Sequence, residues 1–322
     1  MSNLDRRDFL RHSAAAAASL GAGLSAVPGS ARAAETATPT APANPAAMPT
    51  GKIGKLTVSR LISGGNLISG WSHSRDLRYI SELQRRYNSE EKVLETLALC
   101  EQNGVNAIIA DPAAKPMKIF EKHWKQGGKI QWIAEGHPST TDLISNVQAS
   151  IDHGASAVYV QGVIGDRWYK DGIFDKLAKL LDHVRSKGLP AGMGAHKLDV
   201  IIASETSGFK PDFYVKTLHH TNYWSTRRPD QNLDVVENPY DNYWCMDPEQ
   251  TVEFMKTVKT PWIAFKTLAA GAIPPPSAFD FAFANGADFA CVGMFDFQVA
   301  EDAQVAREMI AKHQQRTRPW HG

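Results

Sequence analysis

Side chains able to do acid–base or metal chemistry recur where short apolar runs of this sequence end. Glu135 and His137 close one run, two residues apart, so extended backbone directs them alike. His196 and Lys197 close a second run, and His219 and His220 a third. Asp111 and Gln161 end two more, and Asp296 follows another. Imidazole with carboxylate suits Zn²⁺, Mn²⁺ or Fe²⁺. His137, His196, His219 and Glu135 are therefore the candidate ligands of a divalent metal. The same groups also suit a metal-free polar pocket lined by hydrogen-bonding histidines.

Two lysines form a second constellation. Lys216 sits inside Phe213-Tyr214-Val215-Lys216-Thr217 and Lys266 inside Ile263-Ala264-Phe265-Lys266-Thr267. A lysine in such a run points to one face of its sheet or the other, and the interior of a closed sheet is the expected home. Desolvated beside another cation, an amine loses its proton more readily and becomes a base or nucleophile. These residues point to proton abstraction next to a carbonyl, of lyase or isomerase/epimerase type. Lys216 or Lys266 would serve as base or enolate stabiliser, Asp111 would orient a lysine, and Glu135 belongs to the same catalytic set. A metal would polarise the oxygens of a small polyhydroxylated, sugar-like substrate. Each lysine could instead pair with Glu135 or Asp111, and a barrel that binds a solute without turnover uses the same residues.

These groups are placed by an alternation of short apolar strands and helices of 3.6-residue period, the pattern of a parallel sheet. Strands are expected over 58–63, 106–110, 130–134, 157–161, 191–195, 212–218, 262–267 and 289–293. Helices lie between them, one with Ser89 as N-cap and Gly104 just past its end. Eight such units predict a (β/α)₈ TIM barrel, which takes roughly 250 residues. The chain has 322.

Two connections are long for a compact domain: 64–88 after the first strand and 219–247 after the sixth. Both follow strand C-termini, the barrel face that carries catalytic sites. The first holds Trp71, His73 and Arg75, the second Tyr223, Trp224, Tyr240 and Tyr243. Flat rings beside charged groups suit a polar or anionic small molecule, so Trp71, His73, Arg75, Tyr223, Trp224 and Gln161 are the candidate substrate contacts. The same rings could simply pack the loops onto the barrel.

Arg6-Arg7 within Asp5-Arg6-Arg7-Asp8-Phe9-Leu10-Arg11 resembles the twin-arginine export motif, and Ala31-Arg32-Ala33 matches a small-x-small cleavage site. The apolar run between them, 14–27, is short and broken by glycine, so it reads as a signal segment and not a stable membrane anchor. The expected organisation is a signal peptide over 1–33, an Ala/Pro/Thr-rich tether over 34–50 and a catalytic barrel over 51–322. The implied partner is the twin-arginine translocation machinery, and the implied location periplasmic or extracellular. Without the leader the chain carries 31 basic and 32 acidic residues, leaving no basic stripe for nucleic acid. Cys100 and Cys291 fall in apolar patterns and read as buried. Cys245 falls in a loop and is the one with scope to react.

Two family resemblances follow. Leu56-Thr57-Val58-Ser59-Arg60-Leu61 before Gly64-Gly65-Asn66, and Glu101-Gln102-Asn103-Gly104-Val105-Asn106 leading to Asp111, resemble the opening of the aldo/keto reductase superfamily. The order of elements is similar over most of 52–310. Of that family's Asp, Tyr, Lys and His tetrad, Asp111 matches the Asp. The segment 112–117 has no Tyr, Glu135 stands where the Lys is expected, and Gln161 where the His is. The resemblance implies the fold, and the missing groups imply that no nicotinamide is used. Lys216 and Lys266 on successive strands resemble the lysine pair of deoxyribose-phosphate aldolase-type class I aldolases, which implies a metal-free Schiff base on Lys216 as an alternative.

Overall fold

Eight short parallel strands close into a barrel in the computed structural model, which describes residues 47–322 apart from 75–76, 209, 232–234, 237–243 and the side chain of Arg78. The signal and most of the tether therefore lie outside the described residues, as do Arg75, Tyr240 and Tyr243. The barrel strands are β3 (Leu61–Gly64), β4 (Ala107–Ala110), β5 (Gln131–Gly136), β6 (Ala157–Val160), β7 (Ala191–Ala195), β8 (Phe213–Thr217), β9 (Trp262–Phe265) and β10 (Phe289–Val292). They pair in chain order, with β10 closing on β3. Among the described residues no helix is long and apolar enough to cross a membrane.

Each strand is buried on both faces. Ile62, Ile109, Ile133, Val215, Ile263 and Phe289 pack in the interior, while the alternate residues meet the helices. The helices form for local reasons legible in the chain. Glu90–Gln102 starts where Ser89 accepts the N–H of Lys92, and it stops at Gly104, whose φ of 81° suits glycine.

The expected first strand over 58–63 is two elements. Leu56–Ser59 (β2) pairs antiparallel with Thr50–Ile53 (β1), around a turn in which Gly54 has φ 55°. Ile53 and Val58 of this hairpin join the interior cluster, so the hairpin stoppers the N-terminal end of the barrel. Met48 is buried in the core and Pro49 accepts the N–H of Arg60. Packed chain thus begins before Thr50, earlier than the tether's expected end. The long first connection is also more ordered than a loop, carrying helices Asn66–Ser69 and Arg78–Tyr87.

The last helix, Val299–Lys312, buries a carboxyl without a partner. Asp302 is 3% exposed, and its Oδ2 has no hydrogen bond. Burial, then the charge of Glu301, raises its pKa from 3.8 to about 6. An acid raised on folding favours the native state most below pH 3.8, and that contribution is lost as pH climbs through 6. Asp302→Asn should therefore stabilise the protein by about 2–3 kcal/mol at pH 8 and hardly at all near pH 4. Urea melts of both proteins at the two pH values check this, and equal gains at both would contradict it.

Candidate active site

The C-terminal mouth of the barrel carries two groups of polar side chains. The first centres on β5. Glu135 Oε1 lies 2.8 Å from His137 Nε2, and the hydroxyl of Tyr159, on β6, donates to Glu135 Oε2 at 2.7 Å. Asp111, just past β4, accepts from Ser69 at 2.6 Å, and Asn66 meets His73 Nε2 at 2.9 Å. Burial raises the Glu135 carboxyl. The hydrogen bond and charge of His137, with lesser help from Tyr159 and His73, outweigh it and hold the group below its usual range. Burial pulls His137 down, but Glu135 and then Asp111 hold it above 6.5. Each group of the pair thus favours the charged form of the other, carboxylate and imidazolium. Burial and that carboxylate keep Tyr159 protonated far above 10.

The second group centres on the end of β7. Asp166, on the helix Gly162–Lys170, accepts Nδ1–H of His196 at 2.8 Å and the backbone N–H groups of His196 and Lys197 at 3.0–3.2 Å. Both side chains are almost wholly buried. A carboxylate on Nδ1–H fixes the tautomer and leaves Nε2 as the basic nitrogen. The His196 ring packs on that of Phe265, centroids 5.2 Å apart. Burial first, and then the Lys266 ammonium, outweigh Asp166 and lower the pKa of His196, so its imidazole is neutral.

Glycines make this dyad possible. A Cβ at Gly165 would stand 2.5 Å from the Gly194 carbonyl oxygen, and one at Gly194 2.6 Å from that of Val160. The helix therefore lies against bare backbone, and Asp166, next to Gly165, reaches under His196. The Tyr159 ring links the two groups, since it lies 2.9 Å from where a Cβ at Gly194 would be.

Lys266 follows β9 with φ 59°, and Ala269 and Ala270 follow at 46° and 57°. Three non-glycine residues in the left-handed region within five positions is the kind of strain that persists where surrounding structure imposes it, often at functional sites. At the start of this stretch His219 Nδ1 donates to the Lys266 carbonyl at 2.9 Å.

Several expected site residues stand elsewhere. Lys216 pairs in register with Ala195 and Ala264, which pack in the helix-facing cluster. Its side chain thus points away from the interior, 1% exposed, with Nζ donating to the Thr217 carbonyl. A Schiff base there would have no route to the mouth, and the aldolase-like pair does not assemble. His219 has both ring nitrogens engaged, Nε2 accepting the N–H of Cys245 at 2.9 Å, and burial pushes its pKa down to about 3. It is a neutral strut and not a ligand. His220 faces Ser277 and Phe281 in the helix layer. Among the described residues no three His, Cys, Asp or Glu side chains converge as a metal cage. The set His137, Glu135, His196 and His219 divides into an ion pair, a dyad and a strut.

Gln161 caps its own helix by accepting the N–H of Ile164. Tyr223 touches His219, whereas Trp224 is 87% exposed and Trp71 58%, both on the rim. Cys245 is buried, donates to the Thr217 carbonyl and has its thiol pKa raised by burial, so it is not activated. Asp166 and Tyr159 were missed from sequence. Tyr159 stands two residues before Gln161 and so on the same face, and Gly162 and Gly165 announced a helix able to approach its neighbour.

No family model matches the chain and no curated protein matches it. Solved structures do. Aldo-keto reductase AKR11C1 from Bacillus halodurans aligns at 11% identity over 82% of this chain and 96% of its own, with a TM-score of 0.56. A Pseudomonas aeruginosa protein assigned as an aldo-keto reductase aligns at 17% identity over 81% and 95%, with a TM-score of 0.55. The likeness is one of fold alone, a (β/α)₈ barrel.

Proposed function

We propose that this chain is an enzyme of isomerase or epimerase type, acting by proton abstraction next to a carbonyl of a small polyhydroxylated compound. The Asp166–His196 dyad carries this reading: a buried carboxylate orients a neutral imidazole at the mouth of the barrel. His196 Nε2 takes the C–H proton. The Lys266 ammonium, which acts on that imidazole, stabilises the negative charge left on the substrate oxygen. The His137 imidazolium, kept charged by Glu135, returns a proton from the other group of side chains. Lys216 has no part in this scheme, and no step is routed through a metal, since no three His, Cys, Asp or Glu side chains converge as a cage among the described residues.

A second reading, hydride transfer, is favoured by the aldo-keto reductases among the structural neighbours. Tyr159 supports it as a buried phenol at the mouth, where the segment 112–117 offers none. The chemistry of the donor set fits poorly. Glu135, a carboxylate, stands where that family has a lysine, and an alkoxide forming beside it would be repelled. A nicotinamide would supply the hydride.

The two readings separate in D₂O. Purified protein incubated with aldoses, ketoses and sugar acids should move deuterium into carbon-bound positions of one of them, and His196→Asn should not. Oxidation of NADPH with no such exchange would overturn the first reading. The pH profile of the exchange should be broad. Its acid limb lies below pH 6.5, because His196 is held low, and its alkaline limb above 6.5, because His137 is held high. A profile centred on a single limb at 6.5 would contradict these assignments. The leader motif supports export by the twin-arginine route, which fractionation of cells expressing the Arg6→Lys/Arg7→Lys variant tests.

A further inference from the structure

Described residues of the connection after β8, among them Thr221, Tyr223, Thr226, Arg227 and Trp244, line an open cavity of about 300 Å³. Cys245 contributes to its wall. Its lining is unlike that of a packing defect. Two threonines, a tyrosine and an arginine line a space large enough for a six-membered sugar ring, together with the indole-bearing Trp244. Its floor is fixed. Trp244 is 7% exposed and donates to the Ser225 carbonyl, and Arg227 is held by the carbonyl of Gln231 at 3.1 Å.

The cavity also adjoins the proposed site. Two wall residues, Tyr223 and Cys245, both bond Nε2 of His219, whose Nδ1 grips the Lys266 carbonyl. One unbroken set of hydrogen bonds thus joins the cavity wall to the residue that presents the ammonium beside His196.

We infer that this cavity is a subsite for an oxyanion-bearing polyol, with Arg227 pairing the carboxylate or phosphate, the threonines meeting hydroxyls, and Trp244 covering one face of the ring. A guanidinium offers paired N–H donors matched to a planar carboxylate or to phosphate, which a neutral sugar cannot use. The inference deepens the proposed proton-transfer reading by naming its substrate class, an anionic sugar derivative. The subsite itself can be tested without turnover.

Calorimetric titration of the full-length protein with glucuronate, glucose and inorganic phosphate reads it directly. Glucuronate should bind at least ten-fold more tightly than glucose, phosphate should compete with it, and glucuronate should change Trp244 fluorescence. Arg227→Met, which keeps the stem of the side chain, should abolish the preference for the anion. Should that variant melt early, Thr226→Val should still weaken glucuronate more than phosphate. Equal affinity for glucuronate and glucose, or an undiminished preference in Arg227→Met, overturns the subsite. Exchange lost in His196→Asn while anion preference is absent in the wild type sinks the subsite alone. Anion binding with no exchange on any substrate sinks the proton-transfer reading alone.

Discussion

Asp166→Asn should slow deuterium exchange into substrate by about 10²–10⁴-fold while the barrel stays folded. The carboxylate only accepts hydrogen bonds, so it forces the His196 proton onto Nδ1 and leaves Nε2 basic. An amide can turn its NH₂ toward Nδ1. The imidazole then carries its proton on Nε2 and faces the mouth as a donor, unable to take a proton. The amide oxygen can still accept one of the backbone N–H groups of His196 and Lys197 that the carboxylate now satisfies. Part of the local structure therefore survives, and the loss should fall on the rate and not on substrate affinity. Exchange within three-fold of wild type would show that the dyad is only a structural clasp.

Arg318→Ala should destabilise the protein by about 3–5 kcal/mol, lowering Tm by on the order of 10 °C. Arg318 is 2% exposed and lies beyond the last helix, in the C-terminal tail. Its guanidinium pairs with Asp288 at 2.7 Å and donates to the carbonyls of Met255, Val258, Thr260 and Gly286. Those carbonyls sit at or just past the ends of the helices Pro248–Met255 and Pro275–Ala284, where a helix leaves its last acceptors without partners. Asp288 also binds Arg316 and accepts the backbone N–H groups of Trp262 and His321. Truncation would leave the buried Asp288 carboxylate with Arg316 as its remaining ion-pair partner and would remove the guanidinium donors from the four carbonyls. Arg318→Lys supplies charge without the fork and should recover only part of the loss. A loss below about 1 kcal/mol in equilibrium unfolding would contradict this view of the tail.

The barrel was readable because eight apolar runs alternate with helices, and the strand tips at Glu135, His137, His196 and Lys266 do lie at its mouth. The face of Lys216 was not readable. A strand buried on both sides is apolar throughout, so its pattern carries no parity, and a slip of one residue moves a side chain from the interior to the helix layer. The histidines misled for a related reason. Past the last strand residue the backbone leaves extended geometry, so His219 and His220 point where their hydrogen bonds take them, to the Lys266 carbonyl and to Ser277. The hairpin Thr50–Ser59 alternates as a strand pair should, but the expected strand over 58–63 took in only its last two residues. Asp166 is distant in sequence from His196, and only the close approach allowed by Gly165 and Gly194 brings them together.

The state of the His196 ring is the point on which the chemistry turns, and ¹⁵N-histidine NMR of the intact protein reads it without any substrate. One histidine, absent from the spectrum of His196→Asn, should carry its proton on Nδ1, show an unprotonated Nε2 at neutral pH, and remain neutral as pH falls below 6.5. A His196 signal that is cationic at pH 7, or that bears its proton on Nε2, would contradict the assignment of a base at this mouth.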